Sequence, residues 1–189
     1  ISSNVLRGSG LSSSAAMEVL VGDILDGLFN AGEMDPVTRA IVAQYAENVY
    51  FGKPCGLMDQ TACSVGGLIT IDFEDTAHPV VRKVDYDFAQ TGLHLVVVDT
   101  GGNHANLTPE YAAIPVEMKE AAAFFGKQKL REVPEDEFYA KLPQLCHAVS
   151  DRAALRAMHF MGDNARVKAQ VEALERGDLR AFLDMIVES

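Results

Sequence analysis

The sequence predicts an α+β protein, on three observations. Apolar residues recur at helical spacing from Met17 to about Tyr50, three runs rich in Val, Ile and Leu lie between residues 66 and 100, and helical patterning returns from Thr108 to the end. Helices, then strands, then helices is an α+β order.

The first element follows a loop of small residues. The stretch "LRGSGLSSSAAMEVL", residues 6 to 20, holds two glycines and three consecutive serines before its apolar pattern. Met17, Leu20, Val21, Ile24, Leu25 and Leu28 then fall on one face of a helix, which predicts that this face is buried. Gly32 stops that helix, and Asp35-Pro36 starts a second with an N-cap acceptor and a proline at the first helical position. It runs to about Tyr50. "GGLITIDF" (66–73), "HPVVRKVDYDF" (78–88) and "GLHLVVVDT" (92–100) read as three strands, bounded by Gly, Pro and Asp and joined closely enough for an antiparallel meander. Beyond them, Pro109, Pro115 and Pro134 mark helix starts, Ser150 caps a long helix, and "RGD" at 176–178 is a stop followed by a new start. No internal repeat or low-complexity segment interrupts this order.

Composition excludes several function classes. With 189 residues and 48% hydrophobic content, the chain can bury a core. A net charge of -11 argues against nucleic acid as a partner, because phosphate backbones are bound by excess Lys and Arg. The longest apolar runs, such as Leu93 to Val98, are too short to cross a bilayer, and no basic-then-apolar leader opens the chain, so no membrane partner is expected. Three cysteines, Cys55, Cys63 and Cys146, form no CxxC pair and leave an odd count, which speaks against a disulfide framework and for the cytoplasm. The opening "ISSNVL" has no initiator Met and stands close before the glycine loop, so the chain reads as part of a longer protein.

On its residues alone the loop has two readings. It lacks the lysine of a Walker A loop, and Ser13 stands at the third glycine position of a dinucleotide fingerprint. Small residues let backbone N–H groups converge on a phosphate while the helix N-terminus adds a positive dipole end and the serine hydroxyls bind phosphate or metal. A serine-capped helix after a glycine turn accounts for the same residues.

The full string "GSGLSSSAA" resembles the central motif of the GHMP small-molecule kinases, and three serines followed by Ala-Ala most resemble their galactokinase branch. "AENVYFGKPCGLMDQ" (46–60), "VVDTGGNHANLTPEY" (97–111), "LREV" (130–133), "ALERGDLRAF" (173–182) and the final "VES" are similar to that branch too, so the resemblance runs over nearly the whole chain. It implies a GHMP kinase fold, with part of a ribosomal protein S5 domain 2-like N-terminal lobe over 1–90 and part of a ferredoxin-like C-terminal lobe over 91–189. The implied activity is ATP-dependent phosphorylation of the C1 hydroxyl of galactose, with Mg2+. A kinase for N-acetylgalactosamine or arabinose, or a non-catalytic sugar sensor on the same fold, are the alternatives.

Carried over by position, the resemblance places Gly8, Ser9, Gly10, Leu11, Ser12, Ser13, Ser14 and Ala15 around the ATP phosphates. It makes Ser14 and Glu47 magnesium ligands, Asp59 the carboxylate facing the sugar hydroxyl, and Gly56, Asp59 and Tyr111 sugar contacts. Hard cations take hydroxyl and carboxylate oxygens, and an attacking hydroxyl needs a carboxylate to orient it and take its proton. Each residue has a plainer reading as well: Glu47 a solvated helix residue, Asp59 a helix cap, Tyr111 simple packing, Cys55 and Cys63 small buried hydrophobes, His104 and His159 structural. The sequence departs from the family pattern in three places. It has no "GRVNLIGEHTDY"-like segment with its supporting arginine and sugar-reading groups, no glycine-rich third motif, and Leu6 where a proline is common. Residues 1–189 alone are therefore expected to be inactive and to self-associate through uncovered surfaces.

Overall fold

The computed structural model describes residues 10–98 and 108–189. The chain divides into two compact units, Ile1–Gly101 and Gly102–Ser189.

In the first unit, Gly10 (φ +73°) and Ser12 (φ +53°) turn the chain through the left-handed region into helix α1, Ser13–Phe29. α1 ends at Asn30, and the turn beyond it is tied to Asp26, whose buried carboxylate accepts from Asn30 Nδ2 (2.9 Å), the Met34 amide (3.1 Å) and Arg39 Nη2 (3.3 Å). Asp35 then accepts from the Thr38 amide at 3.0 Å, and Pro36 opens α2, Pro36–Tyr45, as its motif predicts. α2 continues as a π-helical turn, Ala46–Tyr50, so the helical run reaches the expected residue. α3, Met58–Val65, packs against both α1 and α2.

α1 differs from its expected orientation. Ala15, Val19 and Asp26 are buried, whereas Leu20, Ile24, Leu25 and Leu28, on the predicted core face, are half or more exposed. α1 packs on both α2 and α3 through the other side of the helix: Ala15 and Val19 are buried, and Gly22 lies so close to α2 that a Cβ there would stand 3.2 Å from Cγ of Arg39. The bulky stripe points the other way, and no described residue covers it.

Strands β1, Ile69–Asp72, and β2, Val80–Lys83, pair antiparallel with Thr70 opposite Arg82. Residues 92–98 of the third predicted strand join no ladder among the described residues; its last two residues lie outside them. A strand needs a neighbour, and the described residues offer it none.

The second unit is helical: α4 Thr108–Phe124, α5 Glu135–Ala148, α6 Asp151–Glu175 and α7 Leu179–Glu188. Ala121, Ala122, Leu130, Val133, Phe138, Leu145, Ala157 and Met161 form its core. Pro115 lies inside α4 and starts no helix, so α4 forgoes one backbone bond, to the carbonyl of Tyr111. Pro134 precedes α5 directly, Ser150 caps α6 through the Ala153 amide, and Asp178 caps α7 through the Ala181 amide. Glu117 of α4 is clamped to α6 by Arg152 (Nη2 at 2.5 Å) and Arg156 (Nη1 at 2.6 Å). Among the described residues no helix is long and apolar enough to cross a membrane.

Candidate functional site

The site is built where the start of α1, the π-helical turn and α3 meet. The backbone of Ser12 is left-handed and its side chain caps nothing, which removes the serine-capped helix as the explanation of the loop. The N-terminal amides of α1 therefore have no side-chain acceptor at the cap position. Ser14, two residues on, is exposed, and it is the last and smallest of the influences that lower the Glu47 pKa.

Glu47 is the centre of the cluster. It sits in the π-helical turn and is only 4% exposed, so it is no solvated helix residue. Lys53 Nζ donates to its Oε1 at 2.6 Å, while Gln60 Nε2 (3.0 Å) and the Cys55 thiol (3.3 Å) donate to Oε2. Burial pushes the Glu47 pKa up, but these hydrogen bonds and the Lys53 charge outweigh it, and the carboxyl lies below the ordinary glutamate range. Lys53 is raised in turn by its bond to Glu47. The Cys55 thiol is pushed up to about 11, first by burial and then by its bond to Glu47, which makes it a donor and no nucleophile. The loop that carries it is pinned by Asn48 Oδ1, which accepts from the Cys55 amide at 2.8 Å, and by Gln44 Nε2, which donates to the Cys55 carbonyl at 3.1 Å.

Glu18, one helical turn beyond Ser14 on α1, adds a second carboxylate. Gln60 Nε2 reaches its Oε2 at 3.4 Å. Burial first, and then the neighbouring Glu47, raise the Glu18 pKa, while Gln60 and Lys53 act against them. Motif matching did not single out Glu18, Lys53 or Gln60. The i,i+4 spacing of Ser14 and Glu18 was a legible signal for the first; the sequence carries none for Lys53, whose approach to Glu47 depends on the loop.

Asp59 lies in the first turn of α3, next to Gln60, with its carboxylate exposed. It is not the cap of α3: that position is Leu57, which has no capping side-chain bond. Gly56 is exposed, and a Cβ there would meet nothing within 4 Å. Tyr111 is exposed on α4 of the second unit. Gly8, Ser9 and His104 lie outside the described residues. Cys63 is exposed, contrary to the expectation of a buried hydrophobe, and Cys55 is partly buried. His159 pairs with Asp163 at 2.9 Å along α6.

The first unit is thus a mixed helix-and-sheet unit that sets a left-handed serine turn and a buried glutamate on neighbouring elements, and known proteins show the same fold. Residues 1–67 match the model of the GHMP kinases N terminal domain. The chain is 36% identical over 193 residues to a galactokinase of Streptomyces coelicolor, covering all of this chain and 48% of that protein. It is 34% identical over 196 residues to a galactokinase of Streptomyces lividans, covering all of this chain and 46% of the relative. In structure it matches a Lactococcus lactis galactokinase crystallised with galactose, with a TM-score of 0.70, 28% identity, and coverage of 96% of this chain and 46% of that one. Residues 1–67 thus carry a GHMP kinase N-terminal domain, and the chain has the GHMP kinase fold. It spans about half the length of the galactokinases it matches.

Proposed function

We propose that the intact protein carrying this chain is a galactokinase, which moves the γ-phosphoryl of ATP to the C1 hydroxyl of galactose. The observation that carries the reading is the buried Glu47 carboxylate beside α1, where Gln60 bridges it to Glu18, in a chain 36% identical to a galactokinase along its whole length. The loop from Gly8 to Ala15 would take the ATP phosphates on its backbone amides and serine hydroxyls. Residues 1–90 and 91–189 would then belong to the N-terminal and C-terminal lobes.

The donor set fits Mg2+. A buried carboxylate that already draws an ammonium to 2.6 Å is a place where positive charge is favoured, and Ser14, Glu47 and Glu18 offer only hard oxygens. Among the described residues no cluster of three or more His, Cys, Asp or Glu forms, so Ser14 and Glu47 would hold the ion together with phosphate oxygens. When bound, magnesium would neutralise the charge on the transferring phosphoryl group. Asp59, exposed at the start of α3, would orient the sugar hydroxyl and accept its proton, and Gly56 would contact the sugar.

The test is the Asp59→Asn variant of the intact protein, assayed for galactose-dependent ADP release, with N-acetylgalactosamine and arabinose as competing substrates. Turnover on galactose is expected to fall by roughly 10²- to 10⁴-fold, the contribution of a positioned base, with folding unchanged. Near wild-type turnover by the Asn variant would remove Asp59 as the base; failure of the parent protein to turn over galactose would remove the substrate.

A further inference from the structure

Gln60 is one of the least exposed polar side chains of the chain, at 1%. Its Nε2 faces two carboxylates at once, Glu47 Oε2 at 3.0 Å and Glu18 Oε2 at 3.4 Å. Its Oε1 is buried and finds no hydrogen-bond partner among the described residues. The amide cannot turn over to relieve that oxygen, because the flip would set Oε1 against both carboxylates and leave the N–H groups unpaired instead. A buried amide kept with one end unsatisfied is held for the work of its other end.

That work has a position in the chain. Gln60 follows Asp59 directly, in the first turns of α3, while Glu18 lies on α1 and Glu47 on the π-helical turn. Two like-charged carboxylates in contact repel, and a neutral donor with two N–H groups lets them converge without cancelling the charge that a divalent cation needs. Lys53 already pairs with Glu47 Oε1 at 2.6 Å, so a second cation in place of Gln60 would cancel the charge that remains, while a methionine would let the carboxylates part.

We infer that Gln60 is a positioning residue of the proposed phosphoryl transfer: its amide holds the Glu18 and Glu47 carboxylates converged beside Ser14 and fixes the turn of α3 that presents Asp59. The inference rests on the reading of Glu47 and Asp59 given above. It makes Glu18 the second carboxylate of the cation site.

The test uses the intact protein and its Gln60→Met, Gln60→Glu and Glu47→Gln variants. Nucleotide binding is titrated with ATP in the presence of Mg2+ and with ATP in EDTA, and kcat and the KM for galactose are measured beside the thermal melt. For Gln60→Met the gain in ATP affinity brought by Mg2+ is expected to shrink by roughly 10- to 100-fold, the usual effect of losing an outer partner of a metal ligand. ATP affinity in EDTA and the galactose KM stay at wild-type values while kcat falls. Gln60→Glu keeps the side-chain length but places a third carboxylate in the cluster, so its melt is lowered without divalent cation and rises with Mg2+ more steeply than that of the wild type. A Gln60→Met protein whose Mg2+ dependence and kcat match the wild type, with only the melt lowered, would reduce Gln60 to packing. If Gln60→Met does not fold, a Gln60→Glu melt that responds to Mg2+ as the wild type does overturns the inference equally. Should Glu47→Gln also keep the full Mg2+ effect, the cation site itself is misplaced and the role of Gln60 falls with it.

Discussion

Replacing Glu47 by Gln and by Ala separates its structural contribution from its chemical one. The carboxylate receives three donors: Lys53 on one oxygen, Gln60 and Cys55 on the other. A Gln side chain has one acceptor oxygen and one NH2 group, so one side of the site must face donor against donor. The cheaper orientation turns the NH2 towards Lys53, whose ammonium side chain is 65% exposed and can swing into water, and keeps the oxygen on Gln60 and Cys55. The loss is then an ion pair with a solvated partner, and Glu47→Gln is expected to cost about 1 kcal/mol or less of stability. Glu47→Ala is different. It strips the buried Gln60 amide of its nearest acceptor, when its oxygen is already unpaired, and leaves a void at a site with almost no access to water. An unsatisfied buried amide costs roughly 1–3 kcal/mol before any cavity is counted, so the Ala variant should unfold at clearly lower urea concentration than the Gln variant. Both should lose the dependence of galactose phosphorylation on Mg2+. Urea unfolding of the intact protein, with rate against Mg2+ concentration for each variant, decides it. Equal destabilisation by Gln and Ala would refute the assignment of donors, and an unchanged Mg2+ dependence would remove Glu47 from the cation site.

Two further outcomes follow from the structure. Glu117 is held below the ordinary glutamate range, first by the Arg152 hydrogen bond and then by the charges of Arg152 and Arg156, against a raising effect of burial. A carboxyl whose folded pKa lies below its unfolded one stabilises at pH above the unfolded value and loses that contribution as pH falls through the folded one. Melting temperature followed downward from neutral pH should therefore decline below the glutamate range, and Glu117→Gln should flatten that decline; an unaltered acid limb in the variant would place the linkage elsewhere. Residues 1–189 produced alone should self-associate through the exposed Leu20, Ile24, Leu28 and Phe29 of α1 and show no galactose-dependent ADP release. A monodisperse, active monomer in sedimentation would contradict both parts.

The sequence by itself determined what depends on neighbours along the chain. Asp35-Pro36, Ser150 and Asp178 cap the helices at the positions their types predict, because a capping oxygen reaches an amide only two or three residues on. The "GSGLSSSAA" string and Asp59 in "CGLMDQ" were equally legible, since a resemblance to a family is carried by runs of consecutive residues. What only the tertiary structure decided depends on partners far away in sequence. Periodicity located the apolar face of α1 but could not say which face its neighbours take; α2 and α3 pack on the side of Ala15, Val19 and Gly22, and the bulky stripe stays exposed. The runs at 66–73 and 78–88 contain strands that pair with each other across a short turn, while the one at 92–98 has β composition and no ladder among the described residues, because composition supplies a strand's side chains and not its neighbour. The gathering of Glu18, Glu47, Lys53 and Gln60 is of the same kind. Forty-two residues separate Glu18 from Gln60, and only the packing of α1 and the π-helical turn on α3 brings one buried amide between two carboxylates.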